Sequence, residues 1–174
     1  MFARSVMLVT LAAAPVFAQS RATPSATAQL RKSWEQVRDY IMDAAVEVPE
    51  STYAFRPTPE VRTFGELIAH LAGSQDAYCA EALGEKPPAE NAVEKTTTTK
   101  AALVQALRKS NDHCARAYAQ SDVDAAKPVN SADGEGPRFT SLLGNTTHDS
   151  EHYGNIVTYM RMNHMVPPSS KPRK

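Results

Sequence analysis

The chain predicts an all-α fold, a four-helix bundle with up-down-down-up topology. Three observations carry that expectation. Four stretches place apolar residues at three- and four-residue steps, no stretch shows the period-two alternation of a strand, and two cysteines lie near the same ends of two successive helices.

Residues 1–18 stand outside the predicted domain. Arg4 gives a short positive start, Val6 to Phe17 is an apolar run of signal-peptide length, and Val16-Phe17-Ala18 suits cleavage after Ala18. The run is too short for a membrane span, and no cysteine follows it to take a lipid. The expectation is an exported protein, periplasmic or secreted, with no integral membrane span once the signal is removed.

The first helix is predicted from about Thr27 to Val46, with Leu30, Trp34, Val37, Ile41 and Ala45 on one stripe. Pro49 ends it, because proline disfavours helix in the residue before it. Tyr53 to Pro59 reads as an extended, proline-punctuated connection. The second helix starts at Thr63, where Thr63-Phe-Gly-Glu66 forms a capping box, and it stops at Gly84 ahead of Pro87-Pro88. Glu90 to Thr99 is a polar linker. The third helix runs from about Thr99 to Gln120, with Leu103, Leu107 and Cys114 turned inward. Ser121 to Arg138 reads as a polar loop, and the fourth helix runs from near Thr140 to Asn163, closed by Pro167-Pro168. The domain thus spans residues 27–170, and residues 171–174 form a basic tail.

Cys79 and Cys114 fall near the C-terminal ends of the second and third helices. Export favours their pairing as a disulfide. In an antiparallel hairpin their axial separation is about 20 Å at 1.5 Å per residue, whereas a disulfide needs Cα atoms within about 7 Å. A bond therefore requires the two helices to run parallel. A linker of about fifteen residues reaches roughly 50 Å, enough to return along a 30 Å helix.

Composition excludes several functions. With 19 basic and 19 acidic residues the chain has no electrostatic footprint for nucleic acid or an anionic membrane. No Gly-rich phosphate loop, G-x-S-x-G elbow or C-x-x-C motif occurs. A small-molecule substrate is the expected partner.

The chemistry concentrates in histidine. His148 and His152 are four residues apart on the fourth helix, so both imidazoles project from one face and can reach one ion. An open metal site wants a third protein ligand. His70, in the apolar run Leu67-Ile-Ala-His-Leu-Ala, is the best candidate, and in isolation it also reads as a hydrogen-bonded core residue. His113 and His164 are weaker. His113 points about 100° away from its neighbour Cys114, and His164 suits the negative end of a helix. Tyr53, Tyr78, Tyr153 and Tyr159 line a pocket or simply fill the core. His148-Asp-Ser-Glu-His152 also fits the H-x-x-E-H protease signature. That reading fails, because the further downstream ligand it implies is missing: no glutamate or aspartate follows His152. Glu151 remains as a proton acceptor or as an exposed helical carboxylate.

One histidine on the second helix with a His-x-x-x-His pair on the fourth resembles the DinB-like (DinB/YfiT) superfamily. Phe55-Arg-Pro-Thr-Pro59, Thr63-Phe-Gly-Glu66 with His70, Gly84-Glu-Lys-Pro-Pro88, Glu151-His-Tyr-Gly-Asn155 and Val166-Pro-Pro-Ser-Ser170 are similar to its exported bacterial members. The resemblance covers about Thr27 to Ser170. It implies the same up-down-down-up bundle, a divalent metal (nickel or zinc) on His70, His148 and His152, and a homodimer. It also implies thiol transfer or thiol-dependent isomerisation, in which the metal activates a small thiol. Export takes this chain away from cytosolic thiols. The functional expectation is a metal-dependent hydrolase or thiol transferase, with a non-catalytic, metal-stabilised binding module as the alternative.

Overall fold

A computed structural model describes residues 25–172 apart from residues 90 and 132–133. The signal peptide expected over residues 1–18 lies outside the described residues, as do the last two positions of the basic tail. Among the described residues the fold is mostly helical. It contains α1 (Ala26–Glu47), α2 (Phe64–Leu83), α3 (Ala92–Thr96), α4 (Lys100–Tyr118), α5 (Asp122–Ala125) and α6 (Arg138–Met162). A two-stranded antiparallel hairpin, β1 (Pro128–Ser131) with β2 (Gly134–Pro137), precedes α6. No described helix is long and apolar enough to cross a membrane.

The helix ends follow from local chemistry. The Thr63 hydroxyl accepts from the Glu66 N–H and the Glu66 carboxylate accepts from the Thr63 N–H, completing the capping box. Gly84, at φ 73°, closes α2 in the left-handed region where a Cβ is strained. At the start of α1, Asp122 reaches across from α5 and accepts from the Ser25 hydroxyl and from the Ala26 and Thr27 N–H groups.

The structure adds three elements that the sequence reading placed in loops. Helix α3 lies in the linker before α4, and α5 and the hairpin lie between α4 and α6. The hairpin has no strictly alternating apolar face, and its positions are exposed or half-buried. It is held by ladder bonds and therefore shows no burial pattern in the sequence. Helix α6 also starts at Arg138, with Pro137 at its N-cap, two residues before the expected start.

Helix α2 is buried on nearly every face because α4 and α6 both pack against it, while α1 packs against α4 and α6. Two apolar clusters result. One gathers Ile41, Phe64, Ile68, Leu107 and Ile156. The other surrounds the Cys79–Cys114 disulfide with Trp34, Tyr118 and Leu142, and Trp34 stacks on Tyr118 at 4.4 Å. Between them lies a layer of buried polar side chains: His70, Gln75, Ser110, Asn145 and Asp149. The candidate site sits in that layer.

Candidate metal centre

Three imidazoles converge in the polar layer. His70 comes from the middle of α2 and is 6% exposed. His148 and His152 come from one face of α6 and are half-buried. The structure brings together the three histidines picked out in the sequence. Their Nε2 atoms form a nearly equilateral triangle: His70 to His148 3.1 Å, His70 to His152 3.2 Å, and His148 to His152 3.1 Å.

The triangle has the dimensions of a metal site. Nitrogens about 2.0–2.1 Å from a tetrahedral ion stand roughly 3.3 Å from one another. Hydrogen bonding cannot satisfy all three, since a neutral imidazole has one N–H and three Nε2 atoms facing one point compete as acceptors. A cation at that point resolves the competition. No fourth histidine, cysteine or carboxylate joins the group among the described residues.

The electrostatics favour neutral, ligating rings. Burial pushes the His148 imidazole down to about 4, helped by the fields of His152, His70 and Arg62. When Nε2 holds a metal, Nδ1 carries the proton and needs an acceptor that orients the ring. The Asn155 side-chain amide lies 3.3 Å from His152 Nδ1, and its oxygen and nitrogen exchange places by a flip. Glu94 Oε2 lies 3.9 Å from His70 Nδ1. His148 Nδ1 is buried without a hydrogen-bond partner among the described residues. Next to it Asp149 is fully buried, and burial holds its carboxyl well above the usual range. Gln75 faces it and opposes that rise.

The other sequence candidates lie elsewhere. His113 sits between Asp76 and Glu85, 3.0 Å from each carboxylate. His164 is exposed beyond the end of α6, in the left-handed region at φ 59°. Glu151 is exposed on α6. Tyr159 lines the cavity beside the histidines, and the Tyr78 ring stands 5.7 Å from that of His148. Tyr53 and Tyr153 belong to the core.

Sequence reading missed Glu94, Arg56 and Arg62. All three line a cavity of about 800 Å³ that includes His152, Asn155 and Tyr159 in its wall. Phe55-Arg-Pro-Thr-Pro59 carries part of the family resemblance, but no local signal tells that its arginine lines the same cavity as His152.

The model of the DinB superfamily matches residues 33–156. No curated protein matches the chain. Among solved structures, a DinB-like protein from Bacillus cereus aligns with a TM-score of 0.68 at 17% identity, covering 80% of this chain and 93% of that one. A DinB-like protein from Bacillus subtilis aligns at 0.66 and 19% identity, covering 83% and 99%. A mycothiol-dependent maleylpyruvate isomerase aligns at 0.60 and 19% identity, covering 75% of this chain and 59% of that one. At these identities the likeness is one of fold.

Proposed function

The chain belongs to the DinB superfamily, and we propose that it is an exported metalloenzyme holding one divalent ion, nickel or zinc, on His70, His148 and His152. The observation that carries the reading is the triangle of Nε2 atoms at 3.1–3.2 Å. When bound, the ion would supply Lewis acidity, lowering the pKa of a water or a thiol held beside it. The reaction is hydrolysis or thiol transfer on a small-molecule substrate, and the thiol-dependent branch is supported by a structural neighbour that is a mycothiol-dependent isomerase.

The protein's own groups have defined tasks. Burial keeps His148 unprotonated, and Asn155 stands where it can hold the ring of His152. Glu94, half-buried and with Oε2 3.9 Å from His70 Nδ1, is better placed to take a proton than the exposed Glu151. The cavity beside His152 admits substrate. That opening, together with the lack of a fourth ligand among the described residues, favours an open catalytic site over a closed, structural one.

The remaining features belong to the same reading. A signal peptide over residues 1–18 directs the domain, residues 27–170, to the periplasm or outside the cell, and the disulfide suits that compartment. The up-down-down-up order is supported by that bond and by Gly65, near the start of α2, which faces Leu103 near the start of α4. The protein acts as a homodimer.

Isothermal titration of metal-free protein with zinc or nickel tests the proposal. One ion per chain is expected, with affinity reduced at least 100-fold in His148→Ala and in His70→Ala. Equal binding by wild type and both variants removes the metal centre. Slow exchange of every coordinated water, seen by proton relaxation with a paramagnetic ion, would instead mark a closed structural site.

A further inference from the structure

The cavity beside His152 carries two arginines that are not among the candidate metal ligands. Arg62 Nε lies 2.6 Å from Glu94 Oε1, and Arg56 Nη2 lies 3.2 Å from Glu66 Oε2. The two carboxylates are not equivalent. Glu66 is tied into the capping box, accepting from the Thr63 N–H at 2.7 Å. Glu94 sits on the five-residue helix α3, with Arg62 as its close ionic partner. It is the exchangeable member of the group.

Both arginines line the same cavity as His152 and Tyr159. The charges of Arg56 and Arg62 oppose the rise that burial causes at the Tyr159 hydroxyl, and Arg62 contributes to the depression at His148. The Tyr159 hydroxyl donates to the Arg62 carbonyl at 2.8 Å, so α6 fixes the backbone from which that guanidinium extends.

The charges of the wall then define what is missing. Arg56 and Arg62 stand against Glu60, Glu66 and Glu94, an excess of one negative charge. A divalent ion turns this into an excess of one positive charge. An anionic ligand restores neutrality, and the ligand already seated on Arg62 is a carboxylate, whose two oxygens match the guanidinium fork. Pro57, Pro59 and Leu67 give the cavity an apolar side for an organic body.

We propose that the substrate of this site carries a carboxylate that binds Arg62 in exchange for Glu94, with its organic part against Pro57, Pro59 and Leu67. The substrate class rests on the metal-centre reading, but the exchange at Arg62 does not need the ion. Released Glu94 has His70 Nδ1 3.9 Å away, and a shift of about 1 Å brings it to hydrogen-bond distance.

Chemical-shift titrations with phenylacetate and its neutral analogue phenylacetamide test this on zinc-loaded and on chelator-stripped protein. Phenylacetate is expected to bind at least tenfold tighter than the amide. Arg62→Gln should weaken phenylacetate about tenfold, as expected for a lost charge-assisted hydrogen bond. Glu94→Gln, which removes the competing carboxylate, should tighten it about threefold. Both signs should hold without metal, although overall affinity is lower there. Equal binding of acid and amide, an unaltered affinity in Arg62→Gln, or weaker binding in Glu94→Gln overturns the proposal. Should the protein bind no zinc, the metal reading falls while the stripped-protein titrations still decide the role of Arg62.

Discussion

Replacing Cys79 and Cys114 together with alanine should destabilise the domain by about 5 kcal/mol, most of it through the unfolded state. The bond closes a loop across a sequence separation of 35, and the loop-entropy relation gives about 3.8 kcal/mol for that length at 25 °C. Both cysteines are fully buried against Trp34, Tyr118 and Leu142. Two alanines leave space there, which adds roughly 1–2 kcal/mol. Urea unfolding followed by circular dichroism measures the sum. With a slope of about 2 kcal/mol per molar, the midpoint should fall by about 2.5 M. Unfolding the wild type with and without reductant separates the two parts, since reduction opens the loop while both sulfur atoms stay in the core and no alanine cavity is created. The variant should still bind metal, because His70 meets α6 along a face of α2 that the bond does not bridge. A double variant within about 1 kcal/mol of wild type would refute the argument that this crosslink constrains the unfolded chain.

Two further substitutions probe the frame around the site. Asp122→Asn should lower the melting temperature at pH 7. Hydrogen bonds from Ser25, Thr27 and Ala26 hold the Asp122 carboxyl well below its usual 3.8. A depressed folded value means that its stabilisation is present above 3.8 and is lost as pH falls through the folded value. The gap between wild type and variant should therefore narrow on acidification, and a constant gap in thermal scans from pH 7 to about pH 3 would contradict this. Gly65→Ala should cost about 1–3 kcal/mol by overpacking. Its Cβ would stand 3.2 Å from both the ring and the carbonyl oxygen of Tyr53, and the backbone atom cannot yield as a side-chain tip would. Chemical denaturation reads the loss, and a neutral result would mean that the approach of α2 to the Tyr53 turn is loose.

Much of the fold was legible because its signals are local. The Thr63 and Glu66 pair and Gly84 delimit α2 through bonds within one turn, so sequence spacing suffices to find them. His148 and His152 share a face by helix geometry alone. His70 stood out because a polar ring in an apolar run needs a reason to be there. Cys79 and Cys114 were legible as a pair once export was expected, and the bond between them is present. Long-range placement was not legible. Arg62 and Glu94 meet across 32 positions, and nothing near either residue records the other. Nothing in the sequence marks Asp149, yet it is fully buried because α6 packs two faces, leaving it in the polar layer between the apolar clusters. The hairpin escaped because its strands are too short and too exposed to carry a period.

The central claim is that three imidazoles on α2 and α6 hold one divalent ion. X-ray absorption at the metal edge of zinc- or nickel-loaded protein tests it directly. The account predicts three imidazole nitrogens at about 2.0–2.1 Å and one exchangeable oxygen ligand, with the imidazole contribution reduced in His148→Ala. A spectrum that is the same in wild type and in His148→Ala would contradict it.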